Sequence, residues 1–124
     1  MAKETATSLF LGTDHQFILH VKNEAETASV DITGWALSYM IKRHKSDADG
    51  AALVTKTTAA GITIAGTFNS NPAVNLQRAT VTLADTDTAT LADGVAYHEW
   101  KRTDDGFETI LAYGQQTLVQ GVHR

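Results

Sequence analysis

The side chains best suited to binding a transition metal in this sequence are its five histidines, which are scattered along the chain. They are His15, His20, His44, His98 and His123. No two of them have the His-x-His or His-x-x-x-His spacing that places two imidazoles on one side of a strand or one face of a helix. The sequence contains no cysteine, which excludes disulfide bonds and thiolate zinc sites. We therefore expect scattered surface histidines and neither a metal nor another cofactor.

Pairs of aspartates are the next candidates for chemistry, because carboxylates are good ligands for calcium. The pairs are Asp47 with Asp49, Asp85 with Asp87, and Asp104 with Asp105. A helix-loop-helix calcium site needs further oxygen ligands and a glutamate at about position twelve of the loop, and this pattern is missing. Aspartate is also common in tight turns, where its side chain accepts backbone hydrogen bonds. The sequence favours turns, and weak calcium binding where two turns meet in space stays open as an alternative.

No pattern typical of covalent catalysis occurs in the chain. There is no Gly-x-Ser-x-Gly elbow, no glycine-rich phosphate loop and no cysteine nucleophile. A set of Ser, His and Asp can be drawn from almost any sequence, and only a pocket that gathers them would give it meaning. We therefore predict that the protein is not an enzyme.

Trp100 is the aromatic residue that the sequence singles out as a contact residue. Tyr97 and Trp100 fall on opposite faces of one predicted strand, and His98 shares the face of Trp100. Tyr97 follows a turn, where its ring suits the core and its hydroxyl can bond to loop backbone, as in a tyrosine corner. If Tyr97 points inward, Trp100 and His98 point outward, and an exposed tryptophan often marks an interface. Coverage of Trp100 by a neighbouring edge strand is the alternative.

Strands must position these residues, because apolar residues recur along the chain with a period of two. The strongest alternation runs through residues 35–41, and a second clear strand covers 15–22. The residues that we predict to form the core are Trp35, Leu37, Tyr39, Ile41, Phe17, Leu19, Val21, Val81, Leu83, Tyr97 and Leu111.

The spacing of the turns predicts the fold class. Short strands alternate with turn signals roughly every 8–14 residues, and no apolar stripe of helical period extends beyond about two turns. Residues 28–32 are predicted as one of the shorter strands, and residues 85–91 are predicted to include one helical turn. We therefore expect an all-β protein, an immunoglobulin-like antiparallel β-sandwich of about seven to nine short strands.

Size and charge limit the possible partners. The chain has 124 residues, as expected for a single domain, and a net charge of -4. Its basic residues are scattered, which argues against nucleic acid as a partner. No apolar run is long enough for a membrane helix, and residues 1–5 do not begin a signal peptide. We expect a protein that is made in a cytoplasm and does not bind membranes.

The two ends of the chain are further candidates for contact with partners. We divide the chain into an N-terminal arm or edge strand (1–14), the sandwich domain (15–114) and a last strand or C-terminal arm (115–124). Unpaired edge strands can accept a strand from a neighbour. The candidate contact residues in these ends are Leu9, Phe10, Leu11, Leu118, Val119 and Val122. Frayed termini are the alternative.

Several segments, in their order along the chain, resemble a known family. The first is Val30-Asp31-Ile32-Thr33-Gly34-Trp35-Ala36-Leu37-Ser38-Tyr39-Met40-Ile41, and the later ones lie at residues 61–66, 79–83, 87–97 and 109–114. Together they are similar to the small immunoglobulin-like virion domains of tailed bacteriophages, in particular the N-terminal domain of phage baseplate upper proteins. The resemblance covers residues 12–122. It implies a β-sandwich with a structural role in a virus particle and no catalytic residues. Those baseplate proteins continue into further domains, whereas this sequence stops.

Two functions follow as hypotheses. The first is a non-enzymatic component of a phage particle, either in the tail or baseplate or as a capsid decoration protein. It would form a homo-oligomer or be present in many copies of a symmetric assembly, and it would contact other virion subunits. The second is a carbohydrate- or ligand-binding sandwich that uses Trp100 or the aspartate-rich turns.

Overall fold

Nine β-strands and one short helix form the part of the chain that the computed structural model describes, which is residues 3, 4 and 6–120. The strands are β1 (Lys3–Glu4), β2 (Thr7–Leu11), β3 (His15–Leu19), β4 (Leu37–Lys42), β5 (Val54–Thr57), β6 (Ile62–Ala65), β7 (Arg78–Leu83), β8 (Gly94–Arg102) and β9 (Thr109–Gln120). The helix α1 (Asp85–Thr88) follows β7, and a single 3₁₀ turn covers Asp49–Ala51. The helical turn predicted within 85–91 is therefore confirmed.

The strands form two sheets. The large sheet has six strands in the order β1-β9-β8-β4-β5, and β2 pairs with the same strand, β9, as β1 does. The small sheet has the order β3-β7-β6. The predicted all-β sandwich is confirmed. β1 and β2 pair with β9 in the parallel sense, and all other pairs are antiparallel. A parallel pair needs a long connection, and here the rest of the domain supplies it.

The order of the strands is that of an immunoglobulin-type sandwich. In such a sandwich, the strands named A, B, E and D form one sheet, and C, F and G form the other. β3, β7 and β6 occupy the places of B, E and D, and β4, β8 and β9 occupy those of C, F and G. Among the described residues no strand lies in the place of A beside β3, because the N-terminal strands pair with β9 instead.

The core lies between the sheets and is centred on Tyr39, which is fully buried. Its ring lies 5.9 Å from the ring of Phe17 in the small sheet and 5.1 Å from the ring of Trp100, with an edge-on geometry. Such aromatic pairs contribute about 1 kcal/mol each beyond the area that they bury. Of the residues predicted for the core, seven are buried, namely Leu19, Leu37, Tyr39, Ile41, Val81, Leu83 and Leu111. Phe17, Val21 and Trp35 are partly buried and pack against this core.

Residues 28–32 are not a strand, and this part of the prediction is wrong. Ser29 N donates to Ser70 O, and Val30 N donates to Val21 O, so their backbone groups bond to two different segments. Ile32 N donates to the side-chain oxygen Oε1 of Gln77 at 3.0 Å. The apolar residues that suggested a strand instead close the end of the core, where Ile32 is buried.

The two chain ends belong to the large sheet as far as they are described. Residues 7–11 form β2, and residues 115–120 continue β9 without a break through Gly114. Thr7 Oγ1 donates a hydrogen bond to Oε1 of the fully buried Gln116, which joins the two strands from within the core.

Candidate protein-interaction surface

The outer face of the large sheet carries a group of exposed apolar side chains. Phe10, Val95, Ile110 and Tyr113 are exposed by 53%, 47%, 40% and 38%. Large apolar groups that are exposed on one face of a protein are candidates for contact with a partner. We call these four residues the apolar stripe.

The strand register places the apolar stripe on one face. Phe10 pairs with the half-buried Val119 across the β2–β9 ladder. Tyr113 pairs with Glu99, and Ile110 pairs with Lys101, across the β8–β9 ladder. Directly opposed residues on neighbouring strands point to the same side of a sheet. Val95 pairs with Thr117, so Phe10 and Val95 lie near one end of this face, and Tyr113 and Ile110 lie at least four residues farther along β9.

A shallow depression of about 210 Å³ lies on the same face. Its lining includes Tyr97, Tyr113, Lys42, Lys45, Glu99 and Ile110. The ammonium group of Lys45 lies 5.1 Å from the centre of the Tyr97 ring, a cation–π contact. The depression thus combines aromatic and aliphatic surface with charges of both signs.

Ion pairs fix the charged border of this face. Lys42 Nζ donates to Asp49 Oδ1 at 2.8 Å, and Lys101 Nζ lies 3.6 Å from the other oxygen of Asp49. The hydrogen bond to Lys42 holds the pKa of Asp49 below its usual range, and the same bond raises the pKa of Lys42. Both groups therefore stay charged at neutral pH, and Asp49 is shared by two lysines at the border of this face.

An aromatic stack closes one end of the sandwich. The guanidinium carbon of Arg102 lies 3.9 Å from the ring centre of Trp35 and 4.7 Å from that of Phe107. Arg102 Nε also donates to Asp104 Oδ2 at 2.8 Å, and Ala36 N donates to the same oxygen. The bond from Arg102 keeps the pKa of Asp104 below its usual value. The turn after β8 is thereby held against the segment before β4.

The expectation that Trp100 and His98 lie on an outer surface is wrong. Trp100 is only 3% exposed and His98 only 6%, and both rings pack against Tyr39 in the core. The prediction that Tyr97 lies in the core is also wrong, because Tyr97 is partly exposed and faces outward under Lys45. Both faces of β8 carry aromatic residues, so periodicity alone leaves its orientation open. The larger indole ring fills the space beside Tyr39, and this packing decides which face turns inward.

The contact residues predicted in the chain ends divide into two groups. Leu9, Leu11 and Leu118 are at most 1% exposed and belong to the core, so their side chains offer no surface to a partner in this fold. Phe10 is exposed and Val119 is half-buried, both on the outer face. Val122 lies outside the described residues. Only every second position of these strands is free for a partner, because the sheet buries the others.

Sequence reasoning missed Val95, Ile110 and Tyr113 as surface residues. A β-bulge explains two of them: Trp100 pairs with Ala112 and Lys101 pairs with Ile110, which leaves Leu111 without a partner in the ladder. The extra residue changes the alternation, so Leu111 is buried while Tyr113 points outward. Strict alternation along β9, without a bulge, would place Leu111 and Tyr113 on the same face.

The aspartates of the predicted turns make bonds within the protein. Asp47 Oδ2 accepts a hydrogen bond from His44 N, and Asp87 Oδ2 accepts one from Ala84 N at 2.7 Å. Asp87 also forms an ion pair with Lys56 at 3.0 Å, which ties α1 to β5. Within residues 3, 4 and 6–120, no three His, Asp or Glu side chains come together as a metal site would require. No helix in the described part of the chain has the length and apolarity to cross a membrane.

No protein-family model matches this chain, and no curated protein matches its sequence.

Proposed function

We propose that this protein is a non-enzymatic structural component of a tailed-phage particle that binds other virion subunits. Its place is in the tail or baseplate or, as a decoration protein, on the capsid. The observation that carries the proposal is the apolar stripe on the outer face of the large sheet. The strand order of an immunoglobulin-type sandwich and the resemblance of residues 12–122 to phage virion domains support the phage context.

The stripe suits a protein partner better than a small substrate. Its four side chains are spread across three strands of a nearly continuous sheet face, not around a deep cleft. Protein interfaces typically combine an apolar centre rich in aromatic residues with a polar border. Phe10 and Tyr113 supply the aromatic groups, and the Lys42–Asp49 pair supplies part of the border. In a symmetric particle the same contact is repeated by every copy.

The test compares two valine substitutions in particles of the phage that encodes the chain. Val95 is 47% exposed in the stripe, and Val74 is 54% exposed in the loop before β7. We expect Val95→Glu to reduce the number of copies per purified particle by about tenfold, because a charge buried in an interface costs more than about 1.4 kcal/mol. Val74→Glu is the matched control and leaves the copy number unchanged. The measurement is quantitative mass spectrometry of particles, with melting temperatures to verify folding.

Two results contradict the proposal at different levels. Absence of the wild-type chain from purified particles rules out the virion role. Equal incorporation of Val95→Glu and Val74→Glu leaves the virion role standing and rules out the apolar stripe as the contact.

Carbohydrate binding is a second candidate, and the depression between Tyr97 and Tyr113 favours it. Sugar rings pack on exposed aromatic faces, and Lys42 and Glu99 supply polar groups beside them. A glycan array with the purified chain and Tyr113→Ala tests this candidate. Binding that is lost in Tyr113→Ala supports it, and no glycan bound by the wild-type chain contradicts it.

A further inference from the structure

The small sheet has a free edge beside a cavity. Within the described residues, β3 pairs only with β7, and the neighbouring place that strand A holds in immunoglobulin-type sandwiches is not filled. A strand at the edge of a sheet presents unpaired N–H and C=O groups along its free side. The free side of β3 is therefore a template for a further strand.

A side cavity of about 370 Å³ runs along this edge. One wall is the segment from Phe17 to Lys22, and the other wall includes Trp100, Leu111 and Ala112 of the large sheet. That space accommodates two branched aliphatic side chains between the sheets.

The side chains on both faces of β3 are suited to the addition of a further strand beside it. Phe17 and Leu19 lie on the core-facing side of β3; Ile18 alternates to the other face and is 53% exposed, although it too borders the cavity. Side chains of an added strand would alternate in the same way, one set entering the cavity and the other covering Ile18. Residues 15–19 contain no lysine, proline or carboxylate, which are common devices that keep an edge strand unpaired.

The charges near the side cavity indicate the chemistry of the occupant. Lys22 and Glu26 both line it, and neither makes an ion pair with another described residue. One charge of each sign gives no net attraction for a strongly charged segment. An uncharged segment with apolar residues at every second position is the complement of this edge.

We propose that the free edge of β3 binds an extended, uncharged segment of another protein subunit, which adds a strand to the small sheet and places alternate apolar side chains in the side cavity. The identity of that subunit as a virion protein rests on the proposed function, whereas the strand-accepting edge does not. Main-chain hydrogen bonds supply affinity in this mode of recognition, and the side-chain pockets supply specificity.

The test uses a synthetic peptide and the purified full-length chain. The probe is the uncharged peptide acetyl-Gln-Thr-Val-Thr-Val-Thr-Val-Thr-Gln-amide, and the control is the same peptide with methyl groups on alternate backbone nitrogens. In a titration followed by NMR we expect saturable shifts at the amides of 15–19 and at Leu111 and Ala112. The methylated peptide binds about tenfold or more weakly because it lacks half of its main-chain donors.

Two variants of the chain separate the edge from the cavity. Ala112→Leu fills the side cavity, and Ile18→Lys places a charge on the outer side of β3; each weakens peptide binding by about tenfold. Leu76→Lys is the control for Ile18→Lys, because Leu76 has an isomeric side chain, is 57% exposed and does not line the cavity. Its affinity stays at the wild-type value. Should Ala112→Leu not fold, Ile18→Lys alone decides.

Three outcomes overturn the inference. They are no saturable binding of the probe, shifts located away from β3, and a concentration-dependent dimer of the chain whose 15–19 amides are already protected from hydrogen exchange. The last result would identify a second copy as the occupant of the edge. If the probe binds at β3 but the chain is absent from phage particles, the proposed function fails and the strand-accepting edge stands.

Discussion

The side chain of Gln77 holds the loop before β4 to the small sheet. The loss of stability when this side chain is removed can be worked out from its contacts. Its side chain is 5% exposed, and Oε1 accepts the backbone N–H of the buried Ile32 at 3.0 Å. Nε2 donates to Asp31 Oδ1 at 3.0 Å and to Thr33 Oγ1 at 2.9 Å. The bond from Thr33 and the bond from Gln77 hold the pKa of Asp31 below its usual range. One amide therefore joins three residues of an irregular loop.

We expect Gln77→Ala to lower the free energy of unfolding by about 3 kcal/mol. Loss of the acceptor leaves the buried N–H of Ile32 unpaired, at a cost of about 1–3 kcal/mol. Loss of one buried methylene adds about 0.8 kcal/mol. The bonds to Asp31 and Thr33 add little, because water can replace Gln77 at these exposed groups.

The assay is urea unfolding followed by tryptophan fluorescence. A change of about 3 kcal/mol moves the midpoint by about 1–3 M, because the dependence on urea is about 1–3 kcal/mol/M for small domains. Gln115→Ala is the matched control, since Gln115 is exposed on β9, and its effect stays within about 0.5 kcal/mol. Gln77→Met retains most of the volume without the acceptor and should fall between the two. Equal midpoints for Gln77→Ala and Gln115→Ala would refute the structural role of Gln77.

Three further predictions concern the core and the pH dependence of stability. Trp100→Ala should destabilise the fold by about 3–5 kcal/mol in the same urea assay, and a change below about 1 kcal/mol would contradict the burial of its ring. Burial raises the pKa of Tyr39, so its phenol should resist titration in the ultraviolet spectrum of the folded protein. Stability should then fall as the pH rises above about 10, the value of an unfolded tyrosine, and Tyr39→Phe should remove part of this loss. Burial acts to raise the pKa of Asp87, but the bonds from Lys56 and Ala84 N–H outweigh it and hold the pKa below its usual value. The stability from Asp87 is present above about pH 4 and is lost as the pH falls, and Lys56→Met should flatten this acid dependence in pH-jump unfolding.

The sequence alone determined those parts of the architecture for which the local pattern of apolar and polar residues is compatible with only one arrangement. In β4, Leu37, Tyr39 and Ile41 are the large apolar residues of one face, and Lys42 marks the other, so the face that turns inward was predictable. The turn residues between short alternating runs predicted a sandwich, because closely spaced strands with one apolar face must bury it against a second sheet. The helical turn at α1 followed in the same way from a local loss of alternation.

Only the tertiary structure decided the features on which the proposed function depends. β8 has aromatic residues on both faces, and the space beside Tyr39 selected Trp100 for the core and turned Tyr97 outward. The bulge at Leu111 exposed Tyr113, and it arises from the pairing of β9 with β8. These outcomes depend on contacts between segments that lie far apart in the sequence. The local alternation of apolar and polar residues carries no information about such contacts.

The free edge of β3 is the clearest case of this division. The alternation in residues 15–22 predicted a strand, and the structure forms it over residues 15–19. This local pattern does not depend on which strands lie beside it. Among the described residues, β3 has no partner on one side, because residues 7–11 pair with β9, at the far end of the chain. Residues 7–11 could satisfy their backbone hydrogen bonds by pairing in either sheet. The packing of the whole domain therefore determines which sheet they join, and the sequence of the segment does not.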